Sequence, residues 1–213
     1  LQAYLPDYIR AVPLEMPGRG RRLADNLMRR AHLVVDDLYR SALPYLDKPY
    51  AIFGHSMGSL LGFLLTRRIL QERQPPPLHL FVSGRAGPSR ECADCYHTLP
   101  GTEFFSAVRR LGGCPDELFG HPDVIDLFEP VLRADFELVE TYRHERRPPF
   151  EIPVDVFYGR EEGLEMPELE AWAEETTLPV TYTSFGGDHF FILSRPACVS
   201  EKITQKLNQY FSI

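Results

Sequence analysis

Gly54-His55-Ser56-Met57-Gly58 matches the pattern G-x-S-x-G, in which a serine on a sharp turn presents its hydroxyl for attack. The pattern carries meaning only in context, and the context is present. The apolar run Tyr50–Phe53 precedes it and reads as a strand, and a helical pattern opens at Ser59. Small residues on either side let strand and helix approach closely. The helix N-terminus behind the serine offers unpaired N–H groups and a positive dipole to a developing oxyanion. The chemistry implied is nucleophilic attack by Ser56 on an acyl carbon.

A serine hydroxyl needs a base, and the base needs a carboxylate to orient it. Behind an elbow of this kind the chain order is serine, acid, histidine. Of seven histidines, His189 has the fitting setting. It lies in Phe185-Gly186-Gly187-Asp188-His189-Phe190-Phe191, after the last strand-like run, where two glycines allow a loop to carry an imidazole over a sheet edge. The elbow is expected to point His55 elsewhere. His32, His79, His97, His121 and His144 read as structural or surface residues. The acid is expected in Gly159-Arg160-Glu161-Glu162-Gly163, with Glu162 the first choice and Glu161 the reserve. Asp188 is too close to His189 in sequence to orient it and reads as a loop-bracing carboxylate.

These residues must be positioned by the elements around them. The runs Tyr50–Phe53, Leu78–Ser83, Val154–Tyr158 and Val180–Phe185 look like short buried strands, with Ala11–Leu14 a weaker fifth. Helical patterns cover Leu23–Leu43, Ser59–Gln71, Met166–Thr176 and Pro196–Phe211. Alternating strands and helices predict an α/β fold with a mostly parallel central sheet. Between Gly84 and Arg147 no strand pattern occurs, and Gly112-Gly113, Pro115 and Gly120-His121-Pro122 punctuate helical stretches. A long excursion of that kind reads as a helical lid, at about residues 86–147.

Composition narrows the function classes. The chain has 213 residues with 23 basic and 30 acidic, a net charge of −7, which suits one domain and disfavours nucleic acid as a partner. No apolar run approaches the ~18 residues of a membrane span. Four cysteines are too sparse for a disulfide scaffold. Cys92 and Cys95 form a C-x-x-C near His97, but no second ligand pair follows. Cys92, Cys95, Cys114 and Cys198 are therefore expected as reduced thiols in a cytoplasmic, metal-free, monomeric protein.

The motifs together resemble the type II thioesterases of nonribosomal peptide and polyketide assembly lines, and the related medium-chain fatty acyl thioesterases of fatty acid synthesis. The resemblance rests on Leu14-Glu15-Met16-Pro17-Gly18-Arg19-Gly20, Phe53-Gly54-His55-Ser56-Met57-Gly58, Leu80-Phe81-Val82-Ser83-Gly84, Leu111-Gly112-Gly113-Cys114-Pro115, Leu132-Arg133-Ala134-Asp135-Phe136 and Gly186-Gly187-Asp188-His189-Phe190-Phe191. It spans nearly the whole chain. It implies an α/β-hydrolase fold with a helical lid, Ser56 as nucleophile and His189 as base. The acid by the same resemblance is Glu162, where the family usually has Asp.

The resemblance further implies that the Met57 N–H is one oxyanion donor and that the second comes from a strand and loop upstream of residue 1. The numbering is therefore expected to start inside a longer protein. The implied substrate is an acyl group on the phosphopantetheine arm of an acyl or peptidyl carrier protein, hydrolysed without a cofactor of the enzyme's own. The role is editing, with release of a medium-chain acid as the alternative. Phe104, Phe105, Leu118, Phe119, Leu127, Phe128 and Phe136 are the apolar lid residues that either line a substrate path or pack the lid. Arg19, Arg21, Arg22, Arg29 and Arg30 form either a carrier-docking patch or a solvated face. A general carboxylesterase and a non-catalytic carrier-binding protein are the rival readings.

Overall fold

A computed structural model of the chain describes residues 1–90, 95–112 and 122–211. Four short strands, β1 (Ile52–His55), β2 (Leu80–Ser83), β3 (Val154–Gly159) and β4 (Val180–Phe185), form one parallel sheet in that order. β1 starts two residues later than its apolar run and takes in Gly54 and His55 instead. β2 is likewise shorter than its run at the front. β2 and β3 are covered on both faces, which is why they read as continuous apolar runs.

Alternation along the strands sorts their side chains. Leu80, Val82, Val154 and Val156 pack on one face with Phe63, Leu169 and Trp172. Phe81, Phe157 and Phe185 pack on the other with Phe191, Val199, Ile203 and Leu207. A third cluster joins α1 (Ala31–Ala42) to α2 (Met57–Gln71) through Val34, Leu38, Leu60, Leu65 and Ile69. α3 (Gly101–Leu111) and α4 (Pro122–Glu140) occupy the interval between β2 and β3. α5 (Met166–Glu170), α6 (Phe191–Ser194) and α7 (Pro196–Asn208) complete the chain. Among the described residues, no helix is long and apolar enough to cross a membrane.

Three expectations from the sequence change here. Ala11–Leu14 forms no strand. Pro13 has no N–H to give a ladder, and the Ala11 N–H donates to the Gln2 side chain at 2.6 Å instead. The helix expected from Leu23 begins only at Ala31. Arg22 diverts the preceding segment by donating to the Glu15 carbonyl and to both Asp25 and Asp37. The helix expected over Met166–Thr176 stops at Glu170 and continues as a 3-10 turn, Ala171–Glu174. That tighter turn buries Trp172, whose indole N–H donates to the Arg85 carbonyl at 2.9 Å.

α7 is tied to the amino ends of the strands by a buried polar group. Asp155 on β3 is fully buried. Its Oδ2 lies 2.7 Å from His79 Nε2 and its Oδ1 3.1 Å from Lys206 Nζ. His79 Nδ1 is in turn 2.9 Å from the Tyr210 hydroxyl. Burial pushes the Asp155 carboxyl up, but the bonds and charges of His79 and Lys206 outweigh it and hold the group below the usual carboxylate range. Asp155→Asn should cost about 3 kcal/mol of unfolding free energy near neutral pH, at the low end for breaking a buried ion pair. The folded value lies below the unfolded one of about 3.9. The stabilisation is therefore complete above the unfolded value and is lost as pH falls through the folded one. Urea unfolding of both proteins from pH 7 to pH 3 checks this, and the gap between them should narrow toward the acid end without closing by pH 3.

Candidate active site

Ser56 joins β1 to α2 with φ 55° and ψ −118°, a backbone conformation costing about 1–3 kcal/mol for a non-glycine residue. Its surroundings over-determine it. The Ser56 N–H donates to the Ser83 carbonyl at 2.7 Å. The buried Ser59 hydroxyl lies 2.9 Å from the Gly54 carbonyl and 2.8 Å from that of Ser83, and accepts the Ser83 N–H at 2.9 Å. A Cβ on Gly54 would fall 2.0 Å from the Gly58 carbonyl oxygen, so strand and helix can meet only over a glycine there. Gly58 does not share this role, because a Cβ added to it meets nothing within 4 Å. The sequence pattern alone assigned both glycines to close approach, whereas the structure assigns it to Gly54. The Met57 N–H opens α2 and has no acceptor among the described residues, as an oxyanion donor requires.

The loop after β3 carries Glu162 and the loop after β4 carries His189. Glu162 Oε1 lies 2.5 Å from His189 Nδ1, while Oε2 accepts the Gly159 N–H at 2.9 Å. The Glu162 side chain is only 3% exposed, whereas Glu161 is exposed and, among the described residues, forms no hydrogen bond or ion pair with His189. The two loops are laced by main-chain bonds from Arg160 N–H to the Phe185 carbonyl and from Glu161 N–H to that of Gly187, at 2.9 and 3.0 Å. Asp188 braces the histidine loop by accepting the Phe190 N–H at 2.9 Å. Ser56 Oγ makes no direct hydrogen bond to His189 among the described residues. Such bonds often tighten only once a substrate is bound.

One side chain lies where the sequence did not place it. The His55 ring turns toward His189, with centroids 4.8 Å apart, and its Nδ1 is 2.9 Å from Ser83 Oγ. Burial first, and then the neighbouring His189, push its pKa down to about 4. Only the β1–β2 register, which sets His55 opposite Ser83, reveals this contact. No spacing along the chain signals it.

The remaining candidates are distributed as follows. Phe104 is fully buried and packs edge-on against Phe136 at 5.7 Å and Phe105 at 5.4 Å, with the Arg133 guanidinium over its ring at 4.2 Å. These rings join α3 to α4. Leu127 and Phe128 are exposed on α4. Leu118, Phe119, His121, Cys92 and Cys114 lie outside the described residues. α3 ends at Gly112, where an added Cβ would sit 3.6 Å from the Phe190 ring, so this interval reaches the His189 loop.

The arginines of the amino-terminal segment do not form a free basic patch. Arg19 donates to both Asp135 oxygens at 2.7 and 2.9 Å. Arg22 pairs with Asp25 and Asp37, Arg29 and Arg30 with Glu137, and Arg21 with Glu15. Cys95, His97 and Glu140 place a thiol, an imidazole and a carboxylate within 4.8 Å of one another. The Glu140 carboxylate accepts the Tyr96 N–H at 2.7 Å and the His97 N–H at 3.1 Å, and it pairs with His97 Nδ1. These bonds account for the cluster as a carboxylate capping a 3-10 turn.

A parallel sheet with a strained serine turn after one strand, and an acid and a histidine after later strands, defines an α/β-hydrolase fold. The chain belongs to the thioesterase domain family, whose model matches residues 1–207. It is 35% identical over 191 residues to the gramicidin S biosynthesis protein GrsT of Aneurinibacillus migulanus, covering 89% of this chain and 75% of that protein. Its fold matches the crystal structure of ClbQ from the colibactin NRPS/PKS pathway with a TM-score of 0.92 and 32% identity, covering 97% of this chain and 89% of that one. RedJ, the thioesterase from the prodiginine biosynthetic pathway in Streptomyces coelicolor, matches with a TM-score of 0.88 and 31% identity, over 98% and 82% of the two chains.

The geometry separates the two neighbouring glutamates. Glu162→Gln should slow labelling of Ser56 by a fluorophosphonate by about 10³-fold or more, in line with the roughly 10⁴ loss when a triad acid is neutralised. Glu161→Gln should label at the wild-type rate. Stopped-time labelling followed by intact mass checks both.

Proposed function

We propose that this chain hydrolyses acyl thioesters carried on the phosphopantetheine arm of acyl or peptidyl carrier proteins, as an editing enzyme of nonribosomal peptide or polyketide synthesis. The observation that carries the reading is the Glu162–His189 bond of 2.5 Å, together with the strained turn at Ser56 in a member of the thioesterase family. The names of the relatives support the setting, since GrsT belongs to gramicidin S biosynthesis and ClbQ to an NRPS/PKS pathway.

In this scheme His189 Nε2 takes the Ser56 proton as Oγ attacks the thioester carbonyl. Glu162 fixes the tautomer with the proton on Nδ1 and stabilises the imidazolium that forms. The Met57 N–H holds one side of the oxyanion. The tetrahedral adduct collapses, the C–S bond breaks, and His189 returns its proton to the departing thiolate. A water molecule, deprotonated by His189, then attacks the acyl-serine ester; the C–O bond to Ser56 breaks, His189 returns the proton to Oγ, and the carboxylic acid leaves. No metal or redox step enters, and one chain supplies all the groups named. α3 and α4 act as the lid, with Phe105, Leu127 and Phe128 as its less buried apolar surface. Arg19, Arg29 and Arg30 hold the amino-terminal segment to α4, while Arg21 pairs with Glu15 and Arg22 with Asp25 and with Asp37 of α1.

The test uses carrier proteins loaded with short acyl groups and follows loss of the acyl mass by intact mass spectrometry. Wild-type protein should unload them, and Ser56→Ala should be slower by about 10³-fold or more. Retention of every acyl group by the wild type, with Ser56 still labelled by a fluorophosphonate and matched oxygen esters cleaved, would establish a carboxylesterase instead. Neither unloading nor labelling would leave a non-catalytic carrier-binding protein.

A further inference from the structure

We propose that His55 is a positioning residue, whose Nε2–H holds the main chain of the histidine loop so that His189 keeps Nδ1 on Glu162 and Nε2 toward Ser56. This rests on the reading of His189 as the base.

Three observations converge on it. First, His55 is anchored from below. It is the last residue of β1 and pairs with Ser83 of β2, and its Nδ1 lies 2.9 Å from Ser83 Oγ. Ser83 is itself held through its main chain by the Ser59 hydroxyl. The imidazole therefore belongs to the same network that strains Ser56. Second, its ring is confined by the site. It lies 4.8 Å from the His189 ring at 43° and meets Phe191 edge-on at 5.8 Å. Gly84, with φ +63°, leaves the space it occupies. A Cβ there would fall 2.6 Å from His55 Cε1 and 3.0 Å from Glu162 Oε1. One missing side chain thus lets the His55 ring and the Glu162 carboxylate close on the same point.

Third, the polar edge of the ring is not idle packing. Nε2 is buried and has no hydrogen-bond partner among the described residues, a costly state for a buried polar atom. A phenyl ring would fill the space without that cost. When Ser83 Oγ–H donates to Nδ1, the ring proton sits on Nε2. The group there that favours a protonated nitrogen is the His189 main chain. In the proposed arrangement that Nε2–H is donated to the His189 carbonyl.

The charge balance fits this role. Around the ring, β2 offers the Ser83 hydroxyl, the loop after β3 offers Glu162, and the loop after β4 offers His189. Among the described residues, burial and His189 are what lower the His55 pKa. With a value of about 4, His55 is neutral whenever His189 takes up a proton in turnover. It orients the base without adding a second cation beside it.

The test uses a small acyl thioester, so that carrier recognition plays no part. His55→Phe keeps the ring and removes the donor, while His55→Gln keeps an N–H₂ that reaches the place of Nε2. The phenylalanine variant should lose roughly 10- to 100-fold in kcat at little change in KM, the range for groups that orient a functional ligand from behind. Its acid-limb pKa in kcat/KM should move by about half a unit or more. His55→Gln should recover most of both. A phenylalanine variant with wild-type kcat and pH profile would overturn the proposal. So would equal losses in both variants with an unmoved acid limb, which packing alone would give.

NMR of the unmodified protein with ¹⁵N-labelled histidines decides independently of whether a variant folds. His55 should appear as the neutral Nε2–H tautomer above about pH 5. A proton on Nδ1, with a lone pair on Nε2, would overturn the proposal. If the small thioester is not cleaved while the Nε2–H tautomer is present, the hydrolase reading fails and the contact with the loop stands.

Discussion

The rest of the site depends on one strained residue. Ser56 is held at positive φ because its neighbours leave it no relaxed alternative. Its N–H is committed to the Ser83 carbonyl, the Ser59 hydroxyl ties Gly54 to β2, and the Gly54–Gly58 contact fixes how close α2 comes to β1. Relaxing Ser56 would break this bonding and leave buried main-chain groups unpaired, a penalty of the same order as the strain. The turn therefore persists, and it leaves the Met57 N–H at the start of α2 without an acceptor among the described residues.

The opposite ends of the sheet carry different loads. At the carboxyl ends, loops after β3 and β4 are sewn together by main-chain bonds and by the Glu162–His189 pair. These loops reach back across β2 to His55. At the amino ends, Asp155 gathers His79 and Lys206 and so fastens α7 beneath the strands. Keeping the structural ion pair at the far end leaves the carboxyl end free to place polar groups for chemistry, the usual position of sites in open parallel sheets.

Surface charge has a similarly local job. The chain is acidic overall, yet its amino-terminal arginines each meet a carboxylate. Exposed pairs of this sort contribute about 0–1 kcal/mol, so most of them set geometry more than stability. Arg19–Asp135 is the exception in form, with one guanidinium nitrogen meeting both carboxylate oxygens at about one-quarter exposure. Burial raises the Asp135 pKa and Arg19 opposes that shift, so the carboxylate depends on its arginine. The pair holds the 17–22 segment against α4 and thereby couples the helical interval to the body of the protein.

Much of this was legible in the order of residues. The elbow pattern, the strand–helix alternation and the glycine-flanked His189 are local signals, because turn geometry and burial period depend on near neighbours. β3 could be read almost to the residue because a buried strand leaves a nearly continuous apolar run, and β4 because its β-branched and aromatic residues end at a glycine pair. The start of α1 could not be read, because Arg22 diverts its first turn through partners up to fifteen residues away. Sequence order put Glu162 first and Glu161 in reserve, and the laced loops are what turn Glu162 onto His189. Most plainly, the turning of His55 onto His189 needed the register of β1 against β2 and the bare backbone of Gly84. Sequence determined which groups exist and in what order. The tertiary structure decided which of them touch, because pairings between distant segments depend on packing that no local pattern records.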